Sequence, residues 1–568
     1  MPAAPDLDAL KAAIAAADDV VGGAAAHLAA QGPTAVDDNQ VVAYDLAHAA
    51  AGVAVGRAAM QYGAHGAVEA ALACAFVADA LFELQTKVLA REQQWGVAPG
   101  ALEGVRAVVE AYRDPPFVAS LAETEGSRHL DGEFEMVQEA FRRFAEERIR
   151  PAADQVHRTN GDIPEDVIQG LAEMGAFGLS IPEAYGGFAT GTESDLLGMV
   201  IATEELSRGS LGVGGSLITR PEILARALLA GGSEDQKRSW LPRIASGELM
   251  AAVAVTEPDF GSDVARLKVT ATPGEGGWVI NGVKTWCTFA ARADILMLLA
   301  RTDPDRSRAH RGLSLFVVPK PRTDGRGFVV DQGDLPGVLG SEASPGAVGS
   351  DASPVGPPEG RLKGRLEGRL EGRLEGRPID TIGYRGMHSF ELAFENWWVP
   401  DDCLIGGPDG LGRGFYLQME GFEAGRLQTA ARAIGLMQAA YEAAREYAAN
   451  RVVFGQPIAR YQLTQAKLGR MAALIQATRQ HMYGVARLMA TGTGAVEASM
   501  LKIYACRAAE WVTREAMQIH GGMGYAEEFP VSRYYVDARV LSIFEGADET
   551  LALKVVARRM VEQAAGQR

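Results

Sequence analysis

Cysteine is scarce and scattered. Cys74, Cys287, Cys403 and Cys506 are the only four in 568 residues, and no two form a CxxC pair. A disulfide framework is not expected, and this favours a reducing, cytoplasmic setting. Basic charge is also short, with 55 Lys and Arg against 72 Asp and Glu. Nucleic-acid binders concentrate cations to replace counterions on phosphates, so no nucleic-acid partner is expected. A small anionic cofactor is still admissible, because a local basic or helix-end site can hold one. Long apolar runs are missing: nothing reaches the roughly 18 uncharged residues of a membrane span. The nearest candidate, Ala67 to Leu84, is broken by Glu69, Asp79 and Glu83 and predicts a buried amphipathic helix. The opening MPAAPDLDAL has neither the basic nor the apolar region of a signal peptide. No membrane insertion is expected. No GxxxxGK[ST], HExxH, GxSxG or post-strand GxGxxG occurs, and the nine histidines lack metal-ligand spacing, so no metal site is expected.

What is present is an ordinary globular composition, 47% hydrophobic and 22% charged. Residues 1–125 are Ala-rich and show helical spacing from Val41 to Met60 and from Val68 to Val88. They predict an extra helical domain without a motif for chemistry. Helical patterning continues over 126–248. Over 249–403 the chain turns to short β-branched stretches such as LMAAVAVTE, GWVINGVKTWCTFA and LSLFVVP. Within them Asn281-Gly282 is a hairpin signal. Helical patterning returns over 404–568, where Leu463, Leu468, Met471, Ile475, Met482 and Val485 predict one buried stripe. The expected fold class is mostly α with a central β domain (α+β). Residues 333–378, ending in GRLKGRLEGRLEGRLEGR, are low in complexity and read as a surface insertion in that β domain.

Four segments carry chemical potential. In AVTEPDFGSD, Ala254 to Asp263, a strand ends in a turn presenting Thr256, Ser262 and backbone amides, which suits a planar heterocycle or a phosphate. In KTWCTFA, strand alternation places Trp286 and the Thr288 hydroxyl on one face. QIHGGMGYAEEFPVSRYYVD, from Gln518, sets a Gly-rich turn after a long helix, where a ligand can approach the backbone. In LSIFEGADET, Glu545 follows an apolar run and precedes a glycine. Taken singly, each also reads as ordinary structure: a strand end, a core Trp, a C-cap, an acid at a helix start.

Together and in this order, they resemble the acyl-CoA dehydrogenase family over about residues 130–565. AVTEPDFGSD is similar to the first family signature, except that Phe260 and Arg266 stand where small residues are usual. Gln518 to Asp537 is similar to the second. WCT resembles the Trp-x-Thr beside the flavin, and IFEG the loop of the catalytic glutamate. The resemblance implies a helical domain, a barrel-like middle domain and a C-terminal four-helix bundle, with FAD at a subunit interface of a homotetramer or homodimer.

The resemblance also implies site roles. Val255 and Thr256 would meet the isoalloxazine edge, Ser262 the pyrophosphate or substrate, Trp286 the flavin and Thr288 its N5. Arg451 and Phe454 would reach the FAD of a neighbouring subunit. Gln518, Gly521 and Gly522 would line the cofactor, and Ala547 and Glu549 occupy positions where Thr and Gln are usual. Thr302, Phe422 and Arg426 would touch acyl-CoA. Glu545 would take the α-proton, its pKa raised by an apolar pocket. Gly425 stands where some members place this base on another helix, and Glu423 is a nearby rival. Electrons would pass to electron-transfer flavoprotein. SLITRPEIL (Ser216 to Leu224), TWCTFAARAD, GYRGMHSFE and the N-terminal domain resemble a branch whose acyl chain bears a free carboxylate. Arg220, His388 and Arg208 are the candidate cations for it. Other short branched substrates, such as isobutyryl- or 2-methylbutyryl-CoA, and a flavin acyl-CoA oxidase stay open.

Overall fold

The computed structural model describes residues 3–332 and 372–566. Helices flank one central sheet, the mostly-α class with a β middle that the sequence implies. The chain begins with three long helices, Leu7–Ala29, Gln40–Gly63 and Ala67–Val88. Asp6 caps the first, accepting the Ala9 N–H at 2.9 Å. Small residues such as Ala43, Ala47, Ala73 and Ala78 fill their contacts and let the backbones approach closely. Leu7–Ala29 is long and apolar enough to cross a membrane by length and composition. Lys11, Asp18 and Asp19 interrupt it. Leu10, Ala17, Val20 and Leu28 are buried against neighbouring helices, the pattern of a core helix.

Helices Gly132–Phe144, Arg150–Thr159, Glu165–Glu173, Glu193–Gly209, Thr219–Gly231 and Glu234–Ala245 follow. Then come β1 (Ala251–Ala254), β2 (Thr270–Gly274), β3 (Gly277–Thr288), β4 (Ile295–Arg301), β5 (Leu313–Pro319), β6 (Phe328–Asp331), β7 (Arg373–Ile379) and β8 (Ser389–Pro400). Their order is β1-β4-β2-β3-β8-β7-β6, with β5 on β4; β1 and β2 run parallel to β4 and the other pairs are antiparallel. Strand β4 is apolar from Ile295 to Ala300 because both faces are covered. Leu296, Leu298 and Ala300 enter one core, while Ile295, Met297 and Leu299 enter a second with Ile223, Leu228 and Trp240 from the preceding helices. The C-terminal helices are Gly414–Asn450, Gln462–Ala490, Ala495–His520 and Pro530–Leu541. Helix Gln40–Gly63 packs on the second and third of them.

Three expectations change. Asn281-Gly282 is not a hairpin turn: β3 runs through it, and the turn lies at residues 275–276, between Gly274 and Gly277. Gly282 (φ 127°) instead lies opposite a bulge in β8, and Val269 would lie 2.9 Å from any Cβ there. Left-handed freedom thus serves a bulge rather than a turn. The low-complexity insertion is too long at its C-terminal end. Arg373–Ile379 is strand β7 between β6 and β8, and Leu374 is fully buried. The ladder partners decide this, and composition does not report them. Residues 333–371 lie outside the described residues. Gln332 donates its N–H to the Gly372 carbonyl at 2.7 Å, so the segment's two ends meet. Leu463 is 72% exposed, because the buried stripe of its helix starts near Leu468.

Arg128, just after the N-terminal helices, reaches Glu204 at 3.0 Å and Glu205 at 2.7 Å, and both acids are fully buried. Arg479 closes the cluster on Glu204 at 2.9 Å. Arg128→Met is expected to lower unfolding free energy by about 3 kcal/mol, since it leaves a buried carboxylate underpaired. Denaturant titration of the full chain reads this.

Candidate functional site

Helix Pro530–Leu541 ends, and the chain turns through Phe544, Glu545 and Gly546. Glu545 has φ 53° and Gly546 φ 99°. For a non-glycine residue the left-handed region costs about 1–2 kcal/mol, so the turn is held from outside. Its own backbone bonds run from Ile543 and Phe544 to Val540 and from Asp548 to Ser542. The Glu545 N–H takes no part in them.

The Glu545 side chain is only 8% exposed. Arg220, from helix Thr219–Gly231, donates to Oε1 at 3.0 Å. Arg432, from helix Gly414–Asn450, reaches the same oxygen at 2.8 Å. Thr429 donates its hydroxyl to Oε2 at 2.8 Å. Arg432 is wholly buried, donates to Ser216 Oγ at 2.8 Å and lies 4.9 Å over the Phe544 ring. A Cβ on Gly425 would stand 2.9 Å from Glu545 Oε2, so the bare backbone there makes room for the carboxylate.

Burial pushes the Glu545 pKa up, but the Arg432 and Arg220 charges and the Arg432 and Thr429 hydrogen bonds outweigh it. The carboxyl sits below its usual range. The expected upward shift is therefore overturned, because two cations occupy what the sequence presents as an apolar pocket. Arg432 escaped the sequence reading. Its signal was helical spacing, since Gly425, Thr429 and Arg432 recur at intervals of three and four on one helix face. Glu423, the rival, is pushed up by burial and by Glu420 against a downward pull from Arg426.

The structure draws further residues to this centre. Arg426 is on the same helix, next to Gly425, and donates weakly to Ser499 Oγ at 3.5 Å. Burial lowers its pKa against the pull of Glu423 and Glu545. Phe422 packs on the core of Ile223 and Leu224. Ser262 accepts from Thr550 at 3.0 Å, which ties the AVTEPDFGSD turn to the segment after Glu545. Ala547 is half-buried and Glu549 exposed in that segment. Thr302 shares a 2.7 Å bond with Ser314.

Behind the turn, Lys284 is fully buried. It donates to the Val255 carbonyl at 2.8 Å and to Glu257 at 2.9 Å. Burial pushes its pKa down to about 8 against the pull of Glu257. Thr285 donates its N–H to the Thr256 carbonyl at 2.8 Å, fixing Val255 and Thr256 beside β3. A second bulge there, between Lys284 and Cys287, breaks the simple alternation expected for Trp286 and Thr288. Trp286, at φ 56°, is 55% exposed, whereas Thr288 is buried and bonded to Ser389 at 3.0 Å.

Other expected residues lie apart. His388 contacts the Gly161 carbonyl at 3.1 Å and Asp162 at 3.4 Å. Arg208 is consumed by Glu442 at 2.8 Å and Glu146 at 2.7 Å, so it is no substrate cation. Arg451 is exposed, and Phe454, at φ 50°, is 94% exposed on a two-stranded turn, Val452–Val453 with Gln456–Pro457. Gln518, Gly521 and Gly522 are exposed, with nothing within 4 Å of a Cβ added at either glycine. His520 instead is buried in a stack on Tyr447, ring centres 4.2 Å apart. An exposed indole, hydroxyls at a strand end and an open Gly turn fit a planar heterocycle with a phosphate tail, as in FAD. Among the described residues no group of three or more His, Cys, Asp or Glu is placed to hold a metal, and all four cysteines are buried and free.

Residues 131–248, 252–346 and 412–561 match the N-terminal, middle and C-terminal domains of acyl-CoA dehydrogenase, respectively. The chain is 39% identical to (2S)-methylsuccinyl-CoA dehydrogenase of Cereibacter sphaeroides over 487 residues, 83% of this chain and 79% of the relative. Among solved structures, it resembles glutaryl-coenzyme A dehydrogenase in complex with glutaryl-CoA, with 30% identity and a TM-score of 0.62 over 74% of this chain and 94% of that one. It also resembles a chain from a structure described as the electron transferring flavoprotein of Acidaminococcus fermentans, with 28% identity and a TM-score of 0.63 over 78% and 99%.

Arg220→Gln is expected to raise the Glu545 pKa. The parent carboxyl takes up a proton only below the usual carboxylate range. With one cation gone, burial weighs more and protonation moves to higher pH. Isotope-edited infrared titration of the carboxylate reads the shift.

Proposed function

Because the chain belongs to the acyl-CoA dehydrogenase family and is an FAD-dependent oxidoreductase, we propose that it oxidises (2S)-methylsuccinyl-CoA to mesaconyl-CoA. This is a step of the ethylmalonyl-CoA pathway. One observation carries the substrate reading: two buried guanidinium groups converge on one oxygen of a single carboxylate, Glu545. That leaves positive charge in excess inside a closed site. Buried charge without a partner is costly, and a second carboxylate supplied by the substrate offsets it. In methylsuccinyl-CoA the free carboxylate is attached to Cβ, beside the carbon that loses the proton. A cation touching the base is therefore within reach of the substrate anion too. The relative from Cereibacter sphaeroides supports the same substrate, and the neighbour solved with glutaryl-CoA handles another acyl chain ending in a carboxylate.

Glu545 takes the proton from Cα. Bound FAD would supply the hydride acceptor for Cβ, so that loss of the α-proton to Glu545 would leave a double bond between the two carbons. The Glu545 N–H, unused by its own turn, donates to the thioester oxygen as negative charge builds there. In the free protein Glu545 is a weak base because two cations hold it. The substrate carboxylate draws Arg220 away, Glu545 keeps Arg432 and Thr429, and its affinity for the α-proton rises. Thus the anion that identifies the substrate also readies the base. Phe422 and Ile223 exclude water from this centre. Thr302, Phe422 and Arg426 line the acyl-CoA path. Val255, Thr256, Ser262, Trp286, Thr288, Gln518, Gly521, Gly522, Ala547 and Glu549 face the cofactor. Arg451 and Phe454 complete that site in a neighbouring subunit of a homodimer or homotetramer, which accounts for a phenyl ring 94% exposed. Electron-transfer flavoprotein serves as acceptor, in keeping with a structural neighbour described by that name, and the reaction runs in the cytoplasm.

Two outcomes follow. Anaerobic titration with (2S)-methylsuccinyl-CoA bleaches the flavin band of the parent, whereas Glu545→Gln keeps its FAD but slows bleaching by about a thousandfold. Near-parental bleaching in that variant would sink Glu545 as the base. Arg220→Gln lowers kcat/KM for (2S)-methylsuccinyl-CoA by about 100-fold, with a far smaller effect on isobutyryl-CoA. Equal losses on both thioesters would remove Arg220 from substrate choice and favour another short branched acyl-CoA.

A further inference from the structure

The N-terminal helices have no part in the reaction just described, yet they touch the loop that carries Glu545. Tyr44 and His48, on helix Gln40–Gly63, both bond Asp548, three residues after Glu545. The Tyr44 hydroxyl donates to Asp548 Oδ2, and His48 Nε2 lies 3.1 Å from the same oxygen. The two rings meet edge to face, with centres 4.5 Å apart. Asp548 and His48 are buried, and Asp548 Oδ1 has no hydrogen-bond partner. The two N-terminal side chains are thus the main compensation for an anion placed in the interior. Asp37, just before the same helix, pairs with Lys554 and, at 3.1 Å, with Arg558.

The loop needs such anchors. Glu545 and Gly546 are both left-handed, and their turn supplies few bonds of its own. On its inner side Lys502 donates to the Gly546 carbonyl at 2.7 Å. Asp548 donates its N–H to the Ser542 carbonyl at 3.1 Å, closing the loop around Glu545. Fixing Asp548 therefore fixes the loop's downstream end, and Lys502 fixes its middle.

We propose that the N-terminal helical unit is a brace for the base, with Tyr44 and His48 as positioning residues that set the backbone of the Glu545 loop through Asp548. The inference rests on Glu545 being the base. It gives residues 1–125 a task in catalysis although none of them reaches the substrate. A small displacement of a base in a near-attack arrangement costs rate far more than binding.

The test is rapid anaerobic mixing of the full-length holoenzyme with (2S)-methylsuccinyl-CoA, following flavin bleaching. In the double variant Tyr44→Phe, His48→Leu, the limiting rate of bleaching is expected to fall about 10- to 100-fold, with half-saturation and FAD content close to parental. His48→Gln keeps a donor for Asp548 and is expected to stay within about threefold of the parent. Asp548→Leu, of similar size but without an acceptor for Tyr44 or His48, reports the same loss if the double variant does not fold. A double variant that keeps FAD and bleaches at the parental rate overturns the brace. So does a loss in which FAD content and half-saturation change in step with rate and His48→Gln behaves like His48→Leu. A parent bleached by no acyl-CoA would instead overturn the underlying reading, and the brace with it. A reduced parent beside an equally fast variant overturns the brace alone.

Discussion

A single carboxylate clasped by two guanidinium groups in a dry interior sets the terms for this protein. The three participants come from three stretches far apart in sequence: Arg220, Arg432 and the Glu545 turn. Charges buried this deeply are tolerable only while each holds its partner to within a few tenths of an ångström. The surrounding architecture serves that requirement. Gly425 lets the carboxylate lie against helix Gly414–Asn450. Strand β4 supplies two cores, one on each face, and the helix of Arg220 contributes to the second. A separate buried network of Arg128, Arg479, Glu204 and Glu205 ties the start of the family-like region to the C-terminal helices.

Much of this was legible from residues alone. Helical periodicity and β-branched stretches found the architecture, and two of the short segments, AVTEPDFGSD and LSIFEGADET, are tied together in the fold through Ser262 and Thr550. The errors share one cause: a local signal was overruled by a partner remote in sequence. Asn281-Gly282 looked like a turn, but β8 passes alongside and bulges opposite the glycine. Residues 373–378 looked like the tail of a repeat, but β6 and β8 offer a ladder on both sides. Glu545 looked like a carboxyl in an apolar pocket, because Arg432 lies 113 positions upstream in the sequence and has no motif of its own. Arg208 looked available, but its two acids, Glu146 and Glu442, come from different helices. Pairwise electrostatics across the fold is what a linear reading hides.

The N-terminal helices illustrate the same point on a larger scale. Nothing in their Ala-rich sequence points to chemistry. Their significance comes from position: they cover helices Gln462–Ala490 and Ala495–His520 and bring one phenol and one imidazole to a buried aspartate. A segment can belong to an active site by restraining it, with no reactive group of its own.

The meeting of Gln332 and Gly372 has a consequence of another kind. Because these two residues are hydrogen-bonded at the edge where β6 and β7 run antiparallel, whatever joins them departs from and returns to one point. The sheet on either side of this point is held in register by the β6–β7 and β7–β8 ladders themselves. The same doorway could admit a fluorescent reporter or an affinity domain, making this the natural port for engineering the protein.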